Sequence, residues 1–198
     1  MSHRGISDKL IGTLVPKEGE LKVLDIGHGY GQIGLLIRSI RVLSEPTFIW
    51  GNEIYEPYHK MQESLGIYDK QILGDCLDVE LPEKFFNISI ASHLIEHLDK
   101  NNGDLLIQKM ENWTKNRIII VTPKGNVPAE EKDGNKWNEH HSGWTIKDFE
   151  ALGFRVYQCT RQIHSKAVSI FATLWFKILG KTWNNAILVA VKDLDKFS

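Results

Sequence analysis

The sequence predicts a doubly wound α/β fold, and three observations predict it. Short runs rich in β-branched and aromatic residues alternate with stretches of helical period, which is how βαβ units read in sequence. A glycine-rich turn, Gly27-His-Gly-Tyr-Gly31, joins the first of those runs to the helical stretch after it. The length of 198 residues suits one domain over 1–198, and 42% hydrophobic against 25% charged residues fills a core under a wet surface.

The elements follow in order. Residues 21–26 read as the first strand and 31–42 as a helix with Ile33, Leu36, Ile37 and Ile40 on one face. Residues 48–54 are the second strand, and the next helix opens at Pro57, whose fixed φ suits a first turn. Residues 71–73 make a short third strand, and 85–91 a fourth that is apolar enough for burial on both faces. A helix over 101–113 carries Leu105, Leu106, Lys109 and Met110 at helical spacing, and 118–121 is a fifth strand stopped by Thr122-Pro123. Residues 124–143 are polar and rich in Gly and Asn. A loop that long inside an α/β domain reads as an active-site loop. Thr145 then caps a helix over 145–152 that Gly153 stops, and 154–158 and 186–191 are two further strands.

Between those last strands lies an apolar helical insertion over 163–183, greasiest at 167–179. Val168, Phe171, Ala172, Trp175 and Leu179 share one helical face, while Ile170, Leu174 and Ile178 crowd the others. Core packing or a homodimer contact is the commoner use of such a helix. The sharper reading is peripheral membrane contact, with Lys166, Lys177 and Lys181 toward headgroups and the apolar side toward a greasy acceptor.

Charge and cysteines narrow the classes. A net charge of -1 gives no broad attraction to nucleic acid, so none is expected as a partner. Cys76 and Cys159 lie far apart without metal-type spacing and read as reduced thiols. The first residues lack a signal-peptide apolar run, and no uncharged stretch could span a bilayer, so the expected location is cytoplasmic.

The chemistry is concentrated around Val23-Leu-Asp-Ile-Gly-His-Gly-Tyr-Gly-Gln-Ile-Gly34. Glycines there permit positive φ and close approach of a ligand, and the turn delivers free N–H groups at a helix N-terminus. Gly29, Gly31 and Gly34 also satisfy the dinucleotide fingerprint, with Glu53 about 20 residues further on, so the glycines alone leave a nicotinamide-dependent oxidoreductase open. Three features weigh against it. Asp25, two residues before the first glycine, suits the amino group of an amino-acid moiety and not a pyrophosphate. Asp75 ends the third strand where it can accept a bond from an adenine amino group. The last two strands are too close for a second nucleotide-binding half.

Taken in order, Asp25–Gly31, Gly51-Asn-Glu53-Ile54, Gly74-Asp75-Cys76, Ile90-Ala-Ser-His-Leu-Ile-Glu-His97 and Ile120-Val-Thr-Pro123 resemble the motifs of class I S-adenosylmethionine-dependent methyltransferases over residues 21 to about 160. The resemblance implies a Rossmann-like, mostly parallel seven-stranded sheet with its final strand antiparallel, and S-adenosyl-L-methionine as cofactor. It implies that Gly27, Gly29 and Gly31 line the methionine end near Asp25. Glu53, followed by Ile54, would hold the ribose hydroxyls, Asp75 the adenine amino group, and the Cys76 backbone the ring edge. Ser92 and His93 would lie beside the cofactor. His28 departs from the family, in which a smaller residue is common at that place.

The histidines carry the remaining alternatives. His93-Leu-Ile-Glu96-His97 matches the inverted zinc-protease pattern, which needs the pair on one helix face and a third ligand; none is evident in the sequence. The resemblance implies a Glu-His pair that shapes the site without metal, so no metal is expected. His140-His-Ser-Gly-Trp144 ends the long loop, and the pattern His-x-Ser-Gly-Trp in similar sequences singles out His140. Methyl transfer needs positioning and exclusion of water, and a base only where the acceptor loses a proton. His97 or His140 is the expected base, with Tyr30 near the sulfonium. The expected activity is methyl transfer to a small-molecule or lipid-like acceptor, at oxygen in the first instance. The alternatives are an NAD-dependent oxidoreductase and a catalytically silent scaffold.

Overall fold

The chain builds one seven-stranded sheet, seen in a computed structural model that describes residues 4–42, 46–129, 131, 134–160 and 186–195. The element order is α1 (Arg4–Leu14), β1 (Leu21–Ile26), α2 (Gln32–Ile40), β2 (Thr47–Glu53), α3 (Glu56–Leu65), β3 (Lys70–Leu73), β4 (Phe86–Ser92), α4 (Lys100–Trp113), β5 (Thr114–Pro123), α5 (Ile146–Ala151), β6 (Arg155–Thr160) and β7 (Ala186–Asp193). In space the strands run β3-β2-β1-β4-β5-β7-β6. Neighbouring pairs from β3 through to β5 are parallel, whereas β7 is antiparallel to both β5 and β6, so the sheet is mixed.

Alternation along the central strands divides the core into two layers. Leu24 and Ile26 of β1, with Ile118 and Ile120 of β5, face α4 and α5. Val23 of β1, Ile88 and Ile90 of β4, and Ile119 and Val121 of β5 face α1 and α2. Both faces are covered, which is why these strands read as continuous apolar runs.

Three boundaries differ from the sequence reading. β5 is ten residues long because its polar first residues, Thr114 to Arg117, extend the pairing: Thr114 and Arg117 pair with β4, and Arg117 also with β7. α1 lies before the first expected element; its Ser7 and Ile11, with Val15 just beyond, are buried at a spacing of four. The loop from 124 to 143 contains a 3-10 turn at Lys136–Asn138 within otherwise irregular chain. The apolar stretch 167–179, and the membrane or dimer contact expected of it, lies outside the described residues. Among the described residues no helix is long and apolar enough to cross a membrane.

One contact across the α4 face fixes the far end of the long loop. Trp144 is buried with its ring stacked on Phe149 at 5.1 Å, and Gly103 of α4 leaves the space it fills. A Cβ on Gly103 would lie 2.5 Å from Trp144 Cζ2. Alanine normally stabilises a helix interior over glycine by about 1 kcal/mol, but overpacking costs roughly 1–3 kcal/mol. Gly103→Ala should therefore lower the thermal unfolding midpoint by several degrees. A variant as stable as wild type or more so would mean that Trp144 can move aside freely.

Candidate active site

Strand order reverses between β1 and β4, and in open α/β sheets the crevice beyond the carboxyl ends of the strands at such a point receives ligands. Here the crevice holds two adjoining cavities, of about 690 and 440 Å³, which share Gly27, Gly29, His93 and His97 in their walls. Both fall in the size range of small-molecule sites.

The larger cavity carries Glu53, Ile54, Asp75 and Cys76 from the ends of β2 and β3. The buried Glu53 carboxylate gathers three backbone N–H groups: Gly29 at 2.8 Å on one oxygen, and Ile54 at 3.0 Å and Tyr55 at 2.8 Å on the other. It thus ties the glycine turn to the end of β2. Asp75 accepts from the Leu77 N–H at 2.9 Å. Burial and the neighbouring Asp75 push the Cys76 thiol up to about 12, which leaves it unreactive.

The smaller cavity carries Tyr30, Ser92, His93, Glu96, His97 and His140. Tyr30 is at its rim, exposed, accepting a bond from the Tyr58 hydroxyl at 2.9 Å. Two expected residues lie beneath the glycine turn. Asp25 contributes to the wall, but its carboxylate is only 1% exposed and accepts the Tyr68 hydroxyl at 2.7 Å. The Tyr68 bond engages one carboxylate oxygen, Oδ2, while the residue still lines the smaller cavity, where the sequence expects it to meet a ligand's amino group. The His28 ring stacks on Tyr68 at 4.7 Å and fits because Gly51 has no side chain; a Cβ there would lie 2.7 Å from His28 Cδ2. Gly31 lines neither cavity. It precedes α2 with φ 73, where its Cβ would strike the Gln62 amide, so its part is to make the turn.

Glu96 is the residue that the sequence reading undervalued. Residues 93–97 do not form the helix that a zinc-protease pattern requires: His93 has φ 54, and Ile95–His97 is a single 3-10 turn. The turn is pinned from the long loop. The Glu96 carbonyl accepts from both the His141 N–H (2.9 Å) and the Ser142 N–H (3.1 Å), and Ser142 Oγ in turn accepts from Trp144 Nε1 at 3.0 Å. This brings His140 beside His97, with ring centroids 4.8 Å apart. His97 Nδ1 donates to the Glu139 carbonyl (3.0 Å) and His140 Nδ1 to the Val127 carbonyl (2.5 Å). A carbonyl can only accept, so in each ring Nδ1 carries a proton, and in the neutral form of the ring Nε2 is the nitrogen with the lone pair.

Electrostatics follow the same geometry. Burial works against the Glu96 charge, but the His93 hydrogen bond at 3.1 Å and the nearness of the His93 and His97 rings outweigh it and hold the carboxyl below its usual range. Burial lowers His97 and keeps it neutral near pH 7. Tyr68, missed from the sequence because nothing around it marks a site, stays a neutral donor: burial and the Asp25 charge both raise it. The Ser142 and Trp144 contacts were legible only as part of the His-x-Ser-Gly-Trp pattern.

No protein-family model and no curated protein sequence matches the chain. Solved structures do. An S-adenosylmethionine-dependent methyltransferase of Archaeoglobus fulgidus is 20% identical with a TM-score of 0.61, over 96% of this chain and 95% of its own. One from Mesorhizobium loti is 13% identical with a TM-score of 0.62, over 97% and 98%. The cyclase SpnF is 13% identical with a TM-score of 0.63, over 96% and 82%. These likenesses establish the fold.

Burial raises the Asp25 carboxyl from 3.8 to about 7, against the bonds from Tyr68 and the Gly34 backbone. Between those values the folded protein binds more protons than the unfolded chain, so this group makes stability fall as pH rises from about 4 to about 7. Asp25→Asn keeps an acceptor for Tyr68 and removes the titration. Denaturant unfolding at several pH values should show the variant gaining on wild type by up to ~1.4 kcal/mol per pH unit across that window. Parallel profiles would contradict the buried, proton-sharing Asp25.

Proposed function

We propose that the chain transfers a methyl group from S-adenosyl-L-methionine to a hydroxyl of a small-molecule acceptor. The observation that supports this best is the continuity of the two cavities around the glycine turn, with carboxylates on one side and imidazole lone pairs on the other. The larger cavity fits the cofactor chemically. Glu53 offers acceptor lone pairs suited to vicinal hydroxyls, and Asp75 offers one suited to an amino group. Gly27 and Gly29 let a chain of atoms pass close to the backbone between the two cavities. When bound, the cofactor supplies an electrophilic methyl on a sulfonium.

The protein's own residues then have a defined task. Ser92 and His93 close the passage at the end of β4, and Tyr30 with Tyr58 screens the rim from water. The Glu96–His97–His140 group meets the acceptor. With both rings neutral, Nδ1 is tied to a carbonyl and Nε2 is left with a lone pair, so the group can take up a proton, or hold a cation, at the point where a hydroxyl must lose its own. SpnF, a cyclase of the same fold, is a reminder that the reaction belongs to the site and not to the sheet.

Calorimetric titration with S-adenosylhomocysteine, paired with NAD, tests the cofactor assignment. Micromolar binding of the first and none of the second is expected, and Glu53→Ala should weaken it at least about tenfold by removing a charged hydrogen-bond acceptor. Binding of NAD alone would return the glycine turn to the dinucleotide reading.

A further inference from the structure

We propose that Glu96, His97 and His140 form a binding site for a divalent first-row transition-metal ion on the acceptor side of the cleft. Glu96 and His97 come from the 3-10 turn after β4, and His140 arrives from the long loop, supplying the third ligand that the local sequence lacks. One donor atom from each, a carboxylate oxygen and two imidazole nitrogens, lies within 4.8 Å of the others. Ligands of a four-coordinate zinc at 2.0–2.1 Å are about 3.3 Å apart, so closure needs a contraction of at most about 1.5 Å.

Three features mark the cluster as more than coincidence. The Glu96 side chain is 3% exposed, and its Oε2 has no hydrogen-bond partner among the described residues. A buried carboxylate oxygen left unpaired carries a desolvation cost that a bound cation would offset. The other oxygen, Oε1, is held by His93 Nδ1 at 3.1 Å, which restricts the rotation of the carboxylate. Both imidazoles are also oriented from behind by backbone carbonyls, the arrangement that supports metal-ligating histidines generally. Finally, His93 adopts φ 54, a left-handed conformation that costs a bulky residue about 1–2 kcal/mol, and that turn is what carries Glu96 back toward the cleft.

The donor set selects the metal. Two imidazoles and one carboxylate suit zinc, iron, cobalt or nickel, whereas magnesium and calcium favour oxygen cages. Three protein ligands leave coordination positions open toward the smaller cavity. Given the methyl-transfer reading, on which this consequence alone rests, the acceptor would be a small molecule whose hydroxyl can itself ligate the ion, and the ion would lower that hydroxyl's pKa.

Untagged protein, stripped with a chelator, should bind one equivalent of Co²⁺ with micromolar or better affinity and give visible d–d absorption. Zn²⁺ should displace it, and a thousandfold excess of Mg²⁺ should not. Glu96→Gln and His140→Ala should each weaken Co²⁺ binding at least about 100-fold, with folding checked by circular dichroism. Should either variant fail to fold, the wild-type spectrum decides. Absence of stoichiometric Co²⁺ binding, displacement by Mg²⁺, or unchanged affinity in folded variants would overturn the site. Titration of the same stripped protein with S-adenosylhomocysteine separates the two proposals: cofactor binding without Co²⁺ binding sinks only the metal site, and the reverse sinks only the cofactor assignment.

Discussion

The carbonyl of Glu96 accepts two N–H groups from consecutive residues of a loop more than 40 positions downstream, and the cleft depends on that contact. Together with the His97 bond to the Glu139 carbonyl and the Ser142 hydroxyl bond to the Ile95 carbonyl, it joins the 3-10 turn to the long loop. The contact is itself held in place from the core. Trp144 is seated between Gly103 and Phe149, its indole N–H bonds Ser142, and Lys100 lies 3.7 Å over its ring while pairing with Asp148 at the start of α5. Gly143 passes so close to Asn126 that a Cβ would lie 2.5 Å from its backbone nitrogen. An apolar anchor and two close approaches therefore position a polar site, so the geometry of His140 is fixed by packing energy spent several residues away.

Beneath the cleft a second layer works in the opposite electrostatic sense. Tyr68 donates a hydrogen bond to Asp25 in a buried place, where charge is disfavoured. Above them, the Gly29 N–H of the glycine turn and the Ile54 and Tyr55 N–H groups after β2 converge on Glu53, which is buried yet well supplied with donors. The two acids thus divide the work. Asp25 braces the turn from below, and Glu53 clamps it to β2 from above. The turn is held open between them, and a ligand can approach its backbone without the turn collapsing onto the sheet.

Most of the fold was legible because its signals are local. The β-branched apolar runs of the strands, Pro57 at the opening of α3, the Thr145 cap and the glycines after β1 each declare themselves within a few residues. α1 was missed although Ser7, Ile11 and Val15 repeat at a helical interval, since its burial comes from packing on α2 and the sheet, which no local pattern states. In the site, the ends of β2 and β3 carried Glu53 and Asp75 at readable places. The place of Asp25 in the motif was clear but its internal partner was not: strand alternation puts it on the face of Tyr68, whose hydroxyl it accepts while lining the smaller cavity. Convergence of Glu96, His97 and His140 was unreadable for a related reason. It depends on a register between two loops, and loops have no period from which a register can be inferred.

His93 shows how the two halves of the cleft are joined. Its N–H still bonds the Val121 carbonyl at 2.8 Å, which continues the β4–β5 pairing for one residue beyond the strand. Its φ of 54 then breaks the strand, and its ring turns back to hold Glu96 at 3.1 Å. One residue is therefore the last rung of the sheet, the corner of the turn and the brace for the carboxylate. Glycine would make the corner at lower strain, but it could not hold the carboxylate. The strain at His93 is thus tied to the orientation of Glu96, and the wall shared by the two cavities is set by the sheet itself.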